Sequence, residues 1–349
     1  MTTTRDAAPS RDTPPTIAQL AELAGVSVAT VSKVVNGRSE VSAETRALIE
    51  RLIREHGYRR QKRRANSSAL LELVFDELEG AYEMEIIKGV EQVAREHRLA
   101  VVLSELRGGH TPGRSWIEDA LTRRPTGVIA VFSGLTPEQR DRLHTRGVPL
   151  VLVDPTGDPG QGVPSVGAGN WSGGLSATRH LLELGHRRIA VITGPAHALS
   201  SRARLDGHRA AMDTAGVPVD PLLIREGDFR VAAGLAHARE LLLLPDPPTA
   251  IFACNDWLAV GVYQAASELG WRIPDDLSVI GFDDLPPAQW VIPALTTVRQ
   301  PLAEMAAAAT GMVVALAQGE PLPGNRVELA TDLVIRASTA PPKLSRKPS

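Results

Sequence analysis

The sequence predicts a small α-helical head of the helix-turn-helix type, followed by a larger α/β body. Three observations lead to this prediction. Short amphipathic segments fill residues 16–57, apolar strands alternate with helical segments from Leu70 onward, and the two regions differ in charge. The chain has 349 residues, of which 43% are hydrophobic and 22% charged, so it can form more than one core and is not disordered throughout.

Charge is distributed unevenly between the two regions. The first 66 residues hold 12 of the 38 lysines and arginines and 7 of the 40 acidic residues, which leaves 26 basic and 33 acidic residues in the remainder. A basic head on an acidic body is typical of a protein whose head meets phosphates. The basic run over 59–64, taken alone, is explained equally well as a solvated linker.

The head is predicted to consist of three helices. Each begins at a hydroxyl-bearing residue that can cap a helix and ends at or next to a glycine. The first connection is only about three residues long, which indicates a helix-turn-helix whose second helix enters the major groove of DNA. The predicted starts are Thr16, Ser27 and Ser42, and the predicted ends are Gly25, Asn36 with Gly37, and Gly57.

The segments AELAGVSVATVSKVVNG and VSAETRALIERLIREHGY resemble the head of the lactose-repressor family of bacterial transcription regulators. The resemblance implies that Val28, Ala29 and Lys33 face base edges. Lys33 can donate to guanine O6 and N7, whereas Val28 and Ala29 can contact a thymine methyl group. Polar residues between the apolar ones favour DNA binding over a purely structural hairpin. The phosphate contacts implied by the family pattern are Thr16, Ser27, Thr30, Ser32, Asn36, Ser42 and Thr45.

The segment after Tyr58 departs from the family pattern. Family members carry a proline and then a hinge helix whose leucine wedges into the minor groove, but here RRQKRRANSS follows. We hypothesise that basic side chains contact the DNA backbone or a narrow minor groove instead, namely Arg60, Lys62, Arg63 and Arg64. The predicted organisation of this part is a disordered arm over 1–15, a DNA-binding domain over 16–60 and a basic linker over 61–69.

The body is predicted to consist of βαβ units. The strand segments are LLELVFD, LAVVLSE, GVIAVFS and VPLVLVD, then RRIAVITG, PTAIFACND and LSVIGFDD, with helical segments between them. Such parallel sheets place ligands at the carboxyl ends of their strands, and two lobes facing across a cleft would collect those ends.

The segments NWSGGLSATRHLLELGHRRIAVITG and DLSVIGFDDLPPAQWVIPALTTVRQPLAEM are similar to the effector domain of the same family. That similarity implies a body with the periplasmic-binding-protein fold, in which the chain crosses between lobes three times. The expected effector-binding and dimerisation domain covers 70–336. Its first lobe is about 70–154 with 293–320, its second lobe is about 155–290, and a disordered tail covers 337–349.

Polar groups at the predicted strand ends suit a ligand with many hydroxyl groups. The family pattern implies that Arg204 grips ligand hydroxyls, that Asp283 is its carboxylate partner and that Phe229 stacks on the ligand. Asp256 and Asp284 are expected to cap helices instead. The remaining polar contacts implied by the pattern are Asp154, Ser200 and Asn255.

Asp76, Glu77 and Tyr82 follow the first strand and are expected to line the opposite wall of the cleft. They either set ligand specificity or form an ordinary polar surface. The acidic pair departs from the more neutral residues common in the family, so the ligand itself is not identified.

Catalytic and metal-binding patterns are missing from the sequence. The nine histidines and the single Cys254 form no cluster at zinc-ligand spacing, GDPGQG lacks the lysine and hydroxyl residue of a phosphate loop, and neither GxSxG nor HExxH occurs. No metal, cofactor or enzymatic activity is therefore expected. One cysteine, no signal-like apolar segment in Met1–Pro15 and no apolar run of ~20 residues favour a cytoplasmic protein without membrane insertion.

The predicted function is a dimeric repressor of carbohydrate-utilisation genes that a sugar or sugar derivative releases from a near-palindromic operator. A corepressor-type regulator, whose ligand tightens DNA binding, is the alternative within the same class. A free sugar-binding receptor is opposed by the basic head and the lack of an export signal. An enzyme is opposed by the lack of a paired nucleophile and base.

Overall fold

The computed structural model describes residues 16–35, 41–55, 68–78, 80–106, 114–132, 135–157, 159–160 and 162–343. Several expectations lie outside these ranges: the disordered arm over 1–15, the phosphate contact of Asn36, and the four basic residues Arg60, Lys62, Arg63 and Arg64.

The head has three helices, as predicted: α1 (Ile17–Ala24), α2 (Val28–Val35) and α3 (Ala43–Glu55). A capping box formed by Thr16 and Gln19 starts α1, and Gly25 ends it with a left-handed φ of 63°. The axes of α1 and α2 meet at 109°, within the range of a helix-turn-helix. The three helices pack around Leu20, Val31 and Ile49, which are almost fully buried.

The first lobe of the body contains a six-stranded parallel sheet with helices on both faces. Its strands, in spatial order, are β11 (Arg326–Leu329), β5 (Ser165–Ala168), β4 (Leu150–Val153), β3 (Gly127–Val131), β1 (Leu70–Phe75) and β2 (Ala100–Glu105). Helices α4 (Ala81–Glu96) and α12 (Leu302–Gln318) cover one face, and α5 (Arg114–Arg123) and α6 (Pro137–Thr145) cover the other.

The second lobe contains another six-stranded sheet, parallel except for one edge strand. Its strands, in spatial order, are β12 (Asp332–Val334), β10 (Thr296–Arg299), β9 (Ser278–Asp283), β8 (Ala250–Ala253), β6 (Ile189–Thr193) and β7 (Ile224–Glu226), with β12 antiparallel to β10. The flanking helices are α7 (Asn170–Glu183), α8 (Leu199–Thr214), α9 (Val231–Leu242) and α10 (Asp256–Glu268), and the short α11 (Pro287–Trp290) precedes β10.

The lobe boundaries expected near residues 155 and 293 are wrong. Strand β5 pairs with β4 in the first sheet, so the first crossing follows Ala168. Strand β10 pairs with β9 in the second sheet, so the second crossing follows Arg299, and the third lies between β11 and β12. Backbone pairing overrode the sequence pattern here, because SVGA and TTVR are short and only partly apolar.

The expected disorder of the tail over 337–349 is wrong for residues 337–343. Ser338 is fully buried, accepts a hydrogen bond from Thr296 N–H at 2.8 Å and donates to the Val279 carbonyl at 2.6 Å. The ring of His186 lies 2.9 Å from the Ala340 carbonyl oxygen. Residues 337–340 are thus hydrogen-bonded to the second lobe, which the proline-rich composition did not predict.

No single helix within the described ranges is long and apolar enough to cross a membrane. Helices α1 and α2 together have the length and apolar composition of a membrane span, but the chain bends by 109° between them.

Candidate functional site

The carboxyl ends of the strands of both sheets meet at a cleft between the lobes. Four residues there have left-handed backbone: Phe132 after β3 (φ 45°), Asp154 after β4 (φ 47°), Phe229 before α9 (φ 68°) and Asp283 at the end of β9 (φ 114°). Such a conformation costs about 1 to 3 kcal/mol per residue for a side chain other than glycine, and it is concentrated at functional sites. The backbone geometry therefore marks this cleft as the candidate site.

Arg204 is the central cation of the cleft and is only 2% exposed. Its Nε donates to Asn170 Oδ1 at 2.8 Å, and its Nη1 donates to the Cys254 carbonyl at 2.5 Å. The same Nη1 lies 3.7 Å from Asp283 Oδ1, and the guanidinium carbon lies 3.8 Å above the centre of the Phe282 ring. Two fixed hydrogen bonds and a stacked ring hold the guanidinium in one orientation.

Two buried carboxyl groups, Asp154 and Asp283, accompany Arg204. Burial raises the pKa of Asp283 to about 7, although Arg204 and a hydrogen bond from Gln300 oppose the shift. Burial also raises the pKa of Asp154, and Arg204 and Tyr82 act in the opposite direction. Tyr82 Oη lies 3.5 Å from Asp154 Oδ2. Tyr82, which lies on the first-lobe wall of the cleft, therefore belongs to the same cluster of polar side chains. Both carboxyl groups thus hold their protons more tightly than exposed carboxyl groups do.

The cleft also contains a contacting pair of aromatic rings, one from each lobe. The rings of Phe132 and Phe229 meet edge to face, with centroids 6.0 Å apart. Phe229 has a left-handed φ of 68°, and a Cβ added at Gly194 would lie 2.1 Å from its ring. Glycine at position 194 therefore leaves the space in which the Phe229 ring lies.

Asn255, rather than Asp256, caps α10, so the capping role expected of Asp256 is wrong. The Asn255 side chain accepts the Leu258 N–H at 2.8 Å and donates to the Phe229 carbonyl at 3.0 Å. Asp256 is fully buried and accepts hydrogen bonds from Leu285 N–H at 2.7 Å and Thr297 Oγ1 at 2.6 Å. It thus ties β10 to the loop after β9.

The capping role expected of Asp284 is also wrong. Its carboxylate pairs with Arg299 Nε at 2.7 Å and with Arg336 Nη2 at 2.5 Å. Asp284 therefore links the end of β9 to β10 and to the segment after β12.

Glu77 and Arg230 form an ion pair that joins the first lobe to the second. Their side chains are 33% and 56% exposed, so the pair lies near the mouth of the cleft. Leu285 of the second lobe is 1% exposed and packs into the first-lobe core, where Trp257 of α10 also makes contact. The structure is thus a closed arrangement of the lobes, and Glu77 acts as a link between lobes as well as a wall residue.

We expect Glu77→Arg to weaken the closed arrangement and the charge-swapped double variant Glu77→Arg with Arg230→Glu to restore it. An exposed pair contributes about 0.2 to 1 kcal/mol, so the coupling energy should fall in that range. Small-angle scattering and hydrogen exchange at the cleft mouth measure the effect. If the double variant is as open as the single one, the ion pair does not hold the lobes.

The structure brings most of the predicted effector residues together. Asp154, Arg204, Phe229, Asn255 and Asp283 form one connected set with Tyr82. Ser200 lies on α8 one turn before Arg204 and is 3% exposed. Helix α8 begins at Leu199, so Ser200 lies in its first turn. Asp76 lies directly after β1, half-buried beside Glu77.

Sequence reasoning missed three polar residues of this site. Asn170 fixes Arg204, as described above. Gln300 lies on the second crossing and donates to Asp283 Oδ1 at 2.6 Å. Glu83, the third residue of α4, acts on the pKa of Asp283. A polar residue directly after a strand was the available signal for Gln300, whereas nothing local singled out Glu83.

The head presents the residues expected to meet DNA at the start of α2. Ser27, Val28 and Ala29 are exposed, and Val28 is 51% exposed although it is apolar. Ser27 Oγ accepts the Thr30 N–H at 3.1 Å, and Ser42 Oγ accepts the Thr45 N–H at 3.3 Å, so both serines cap their helices. Helix N-termini of this kind favour phosphate. Ser32 and Lys33 are half-buried on the same helix.

Comparisons with known proteins match both regions of the chain. Residues 16–61 match the family model of bacterial regulatory proteins of the lacI family, and residues 178–339 match the periplasmic binding protein-like domain. The HTH-type transcriptional repressor CytR of Escherichia coli K12 is 31% identical over 336 residues, which cover 95% of this chain and 98% of CytR. The ribose operon repressor of the same strain is 31% identical over 93% of this chain and 99% of its own.

Two solved structures are similar over nearly the whole chain. A transcriptional regulator CelR–cellobiose complex has a TM-score of 0.72 and 33% identity, and covers 93% of this chain and 99% of its own. A Lac repressor dimer bound to operator and the anti-inducer ONPF has a TM-score of 0.69 and 29% identity, and covers 94% of this chain and 100% of its own.

A helix-turn-helix head on a two-lobed body with a polar cleft defines a DNA-binding transcription regulator that responds to a small molecule. The chain belongs to the LacI family of bacterial regulatory proteins. Its relatives are transcriptional regulators rather than enzymes.

Proposed function

We propose that this regulator represses carbohydrate-utilisation genes and that a sugar or sugar derivative in the cleft releases it from its operator. The observation that carries the proposal is the buried set of Arg204, Asp154 and Asp283 between the lobes. Carboxylates and a fixed guanidinium bind arrays of hydroxyl groups, and the paired rings of Phe132 and Phe229 offer an apolar face for C–H groups. The relative solved with cellobiose supports a sugar as the ligand.

Release follows from a difference in affinity between two lobe arrangements. A sugar that binds the closed lobes more tightly shifts the population toward them, and the shift repositions the two heads of a dimer. A coupling of ~1 to 3 kcal/mol gives a 5- to 150-fold change in DNA affinity. The operator is expected to be near-palindromic because each head of the dimer reads one half-site.

Fluorescence anisotropy with labelled operator, titrated with and without each sugar of a panel, tests the proposal. A sugar that weakens DNA binding supports it. A sugar that tightens DNA binding instead identifies a corepressor-type regulator. A head that binds no duplex at low salt overturns the DNA-binding part.

We expect Lys33→Ala to lower affinity by about 1 to 3 kcal/mol at one operator position and to relax base preference there. Lys33 is proposed to donate to guanine in the major groove, while Val28 and Ala29 contact a neighbouring thymine methyl. Gel-shift titrations on randomised half-sites measure the change. Equal weakening on every sequence would place Lys33 at a phosphate instead.

The basic segment after the head is proposed to contact the DNA backbone. Neutralising Arg63 and Arg64 together should reduce the slope of log affinity against log salt by about 2, because each lost phosphate contact lowers it by about 1. The matched control neutralises Arg95 and Arg98 on the body. An unchanged slope in the first variant contradicts the role of the segment.

A further inference from the structure

The start of α2 is the part of the head that a helix-turn-helix places against base edges. In this arrangement the second helix lies in the major groove, and its N-terminal residues contact the bases. In this chain those residues are Val28 and Ala29, the first two of α2. Both are exposed, and neither belongs to the core formed around Leu20, Val31 and Ile49. Packing of the head therefore does not account for these two side chains.

The hydroxyl groups on either side of this apolar pair are engaged in the helix cap. Ser27 Oγ accepts the Thr30 N–H at 3.1 Å, and the two hydroxyl oxygens lie 2.8 Å apart. Backbone N–H groups in the first turn of a helix favour phosphate. The side chains of Val28 and Ala29 carry methyl groups only. A base edge that meets this end of α2 therefore meets an apolar surface.

An apolar surface can read one feature of the major groove. Thymine presents a methyl group on C5, whereas the other base edges are distinguished there by hydrogen-bond donors and acceptors. A cytosine methylated on C5 presents the same methyl group at the same place in the groove. It differs from thymine at the neighbouring atom, where an amino group donates and thymine O4 accepts. Valine and alanine side chains have no donor or acceptor with which to detect that difference.

We propose that the start of α2 reads methyl groups and binds thymine and 5-methylcytosine alike, so that methylation of an operator cytosine at C5 tightens DNA binding. The inference rests on the proposed contact of Val28 and Ala29 with base edges and adds a means of regulating it. Lys33 lies one turn after Ala29 and is proposed to read guanine by hydrogen bonds, so it acts on a different base. Burial of one methyl group changes affinity about fourfold.

The test starts from a duplex that the full chain selects from a random library. Each thymine of this duplex is replaced in turn by uracil, which pairs with adenine in the same way and lacks only the methyl group. Fluorescence anisotropy at fixed salt concentration measures the affinity. We expect a loss of about fourfold at the thymines that meet α2 and an unchanged affinity at the others. Unchanged affinity at every position overturns the inference.

The second step replaces the sensitive thymine·adenine pair by cytosine·guanine, with and without a methyl group on C5 of the cytosine. We expect the methylated pair to bind about fourfold more tightly than the unmethylated one. Equal affinities for the two pairs, or tighter binding of the unmethylated pair, overturn the response to methylation.

A protein variant separates direct contact from the effect of methylation on duplex shape. Val28→Ser removes the methyl groups of the side chain and should lose most of the preference for the methylated duplex. Leu23→Ser is the matched control, because Leu23 of α1 is 54% exposed and Val28 is 51% exposed. The ratio of the two affinities is measured on one preparation, so partial unfolding cancels. An unchanged ratio in Val28→Ser assigns the preference to duplex shape and overturns the inference.

A milder variant keeps the test decisive if Val28→Ser binds neither duplex. Val28→Ala retains one methyl group, so its preference for the methylated duplex should lie between that of the natural sequence and none. An unchanged preference in Val28→Ala contradicts direct contact.

Release by sugar distinguishes this inference from the proposed function. A chain that a sugar releases from its selected duplex, but that binds uracil and thymine equally, is a sugar-released regulator that does not read methyl groups. A chain that prefers the methylated duplex, but whose DNA affinity changes with no sugar of the panel, supports the methyl reader and contradicts the sugar effector.

Discussion

Arg204→Met is expected to destabilise the body by about 3 to 5 kcal/mol and to abolish the response to effector. The substitution keeps a long side chain but leaves Asp154 and Asp283 buried without the cation that faces them. Removing one partner of a buried charge pair leaves an uncompensated charge, which is among the most destabilising changes known in proteins. The substitution also removes the cation from above the Phe282 ring.

Chemical denaturation followed by circular dichroism measures the free energy of unfolding of the variant. Arg209→Met is the matched control, because Arg209 lies on the same helix and forms an exposed pair with Asp206. The control should change stability by less than about 1 kcal/mol. Adding Asp283→Asn to Arg204→Met should recover part of the loss. Equal stability of the Arg204 and Arg209 variants would contradict this account of the cleft.

The three helices of the head and seven of the twelve strands described in the body could be predicted because their signals are local. Thr16 with Gln19 makes a capping box that the structure contains, and Gly25 has the left-handed φ that ends α1. Strands such as β3 and β8 are continuous apolar runs, as expected for strands covered on both faces.

The lobe crossings could not be predicted in the same way, because they depend on pairing between distant segments. Strand β11 (RVEL) is mostly exposed, and its place at the sheet edge is set by backbone hydrogen bonds to β5. The same limit applies to the site. Glu83 is one of several acidic residues on α4, and only the packing of two lobes brings it near Asp283.

Asp283→Asn is expected to gain stability relative to the natural sequence as pH rises. Burial raises the pKa of this carboxyl group to about 7 in the folded protein, against 3.8 for the ordinary group. The folded state therefore holds a proton that the unfolded state has lost. Its stabilising contribution is complete below the unfolded pKa and is lost as pH rises through about 7. The difference between variant and natural sequence should grow by at most about 4 kcal/mol across that window.

The two proteins must be compared by subtracting their free energies of unfolding, because buried histidines make the stability rise with pH over part of the same range. Burial lowers the pKa of His208 to about 4, so its contribution is lost as pH falls below its ordinary value of 6.5. Subtracting the unfolding free energies of the two proteins at each pH cancels that contribution. Asp206→Asn, an exposed control, should differ by less than about 1 kcal/mol at every pH. Parallel curves for Asp283→Asn and the natural sequence would mean that Arg204 keeps this carboxyl group ionised over the whole range.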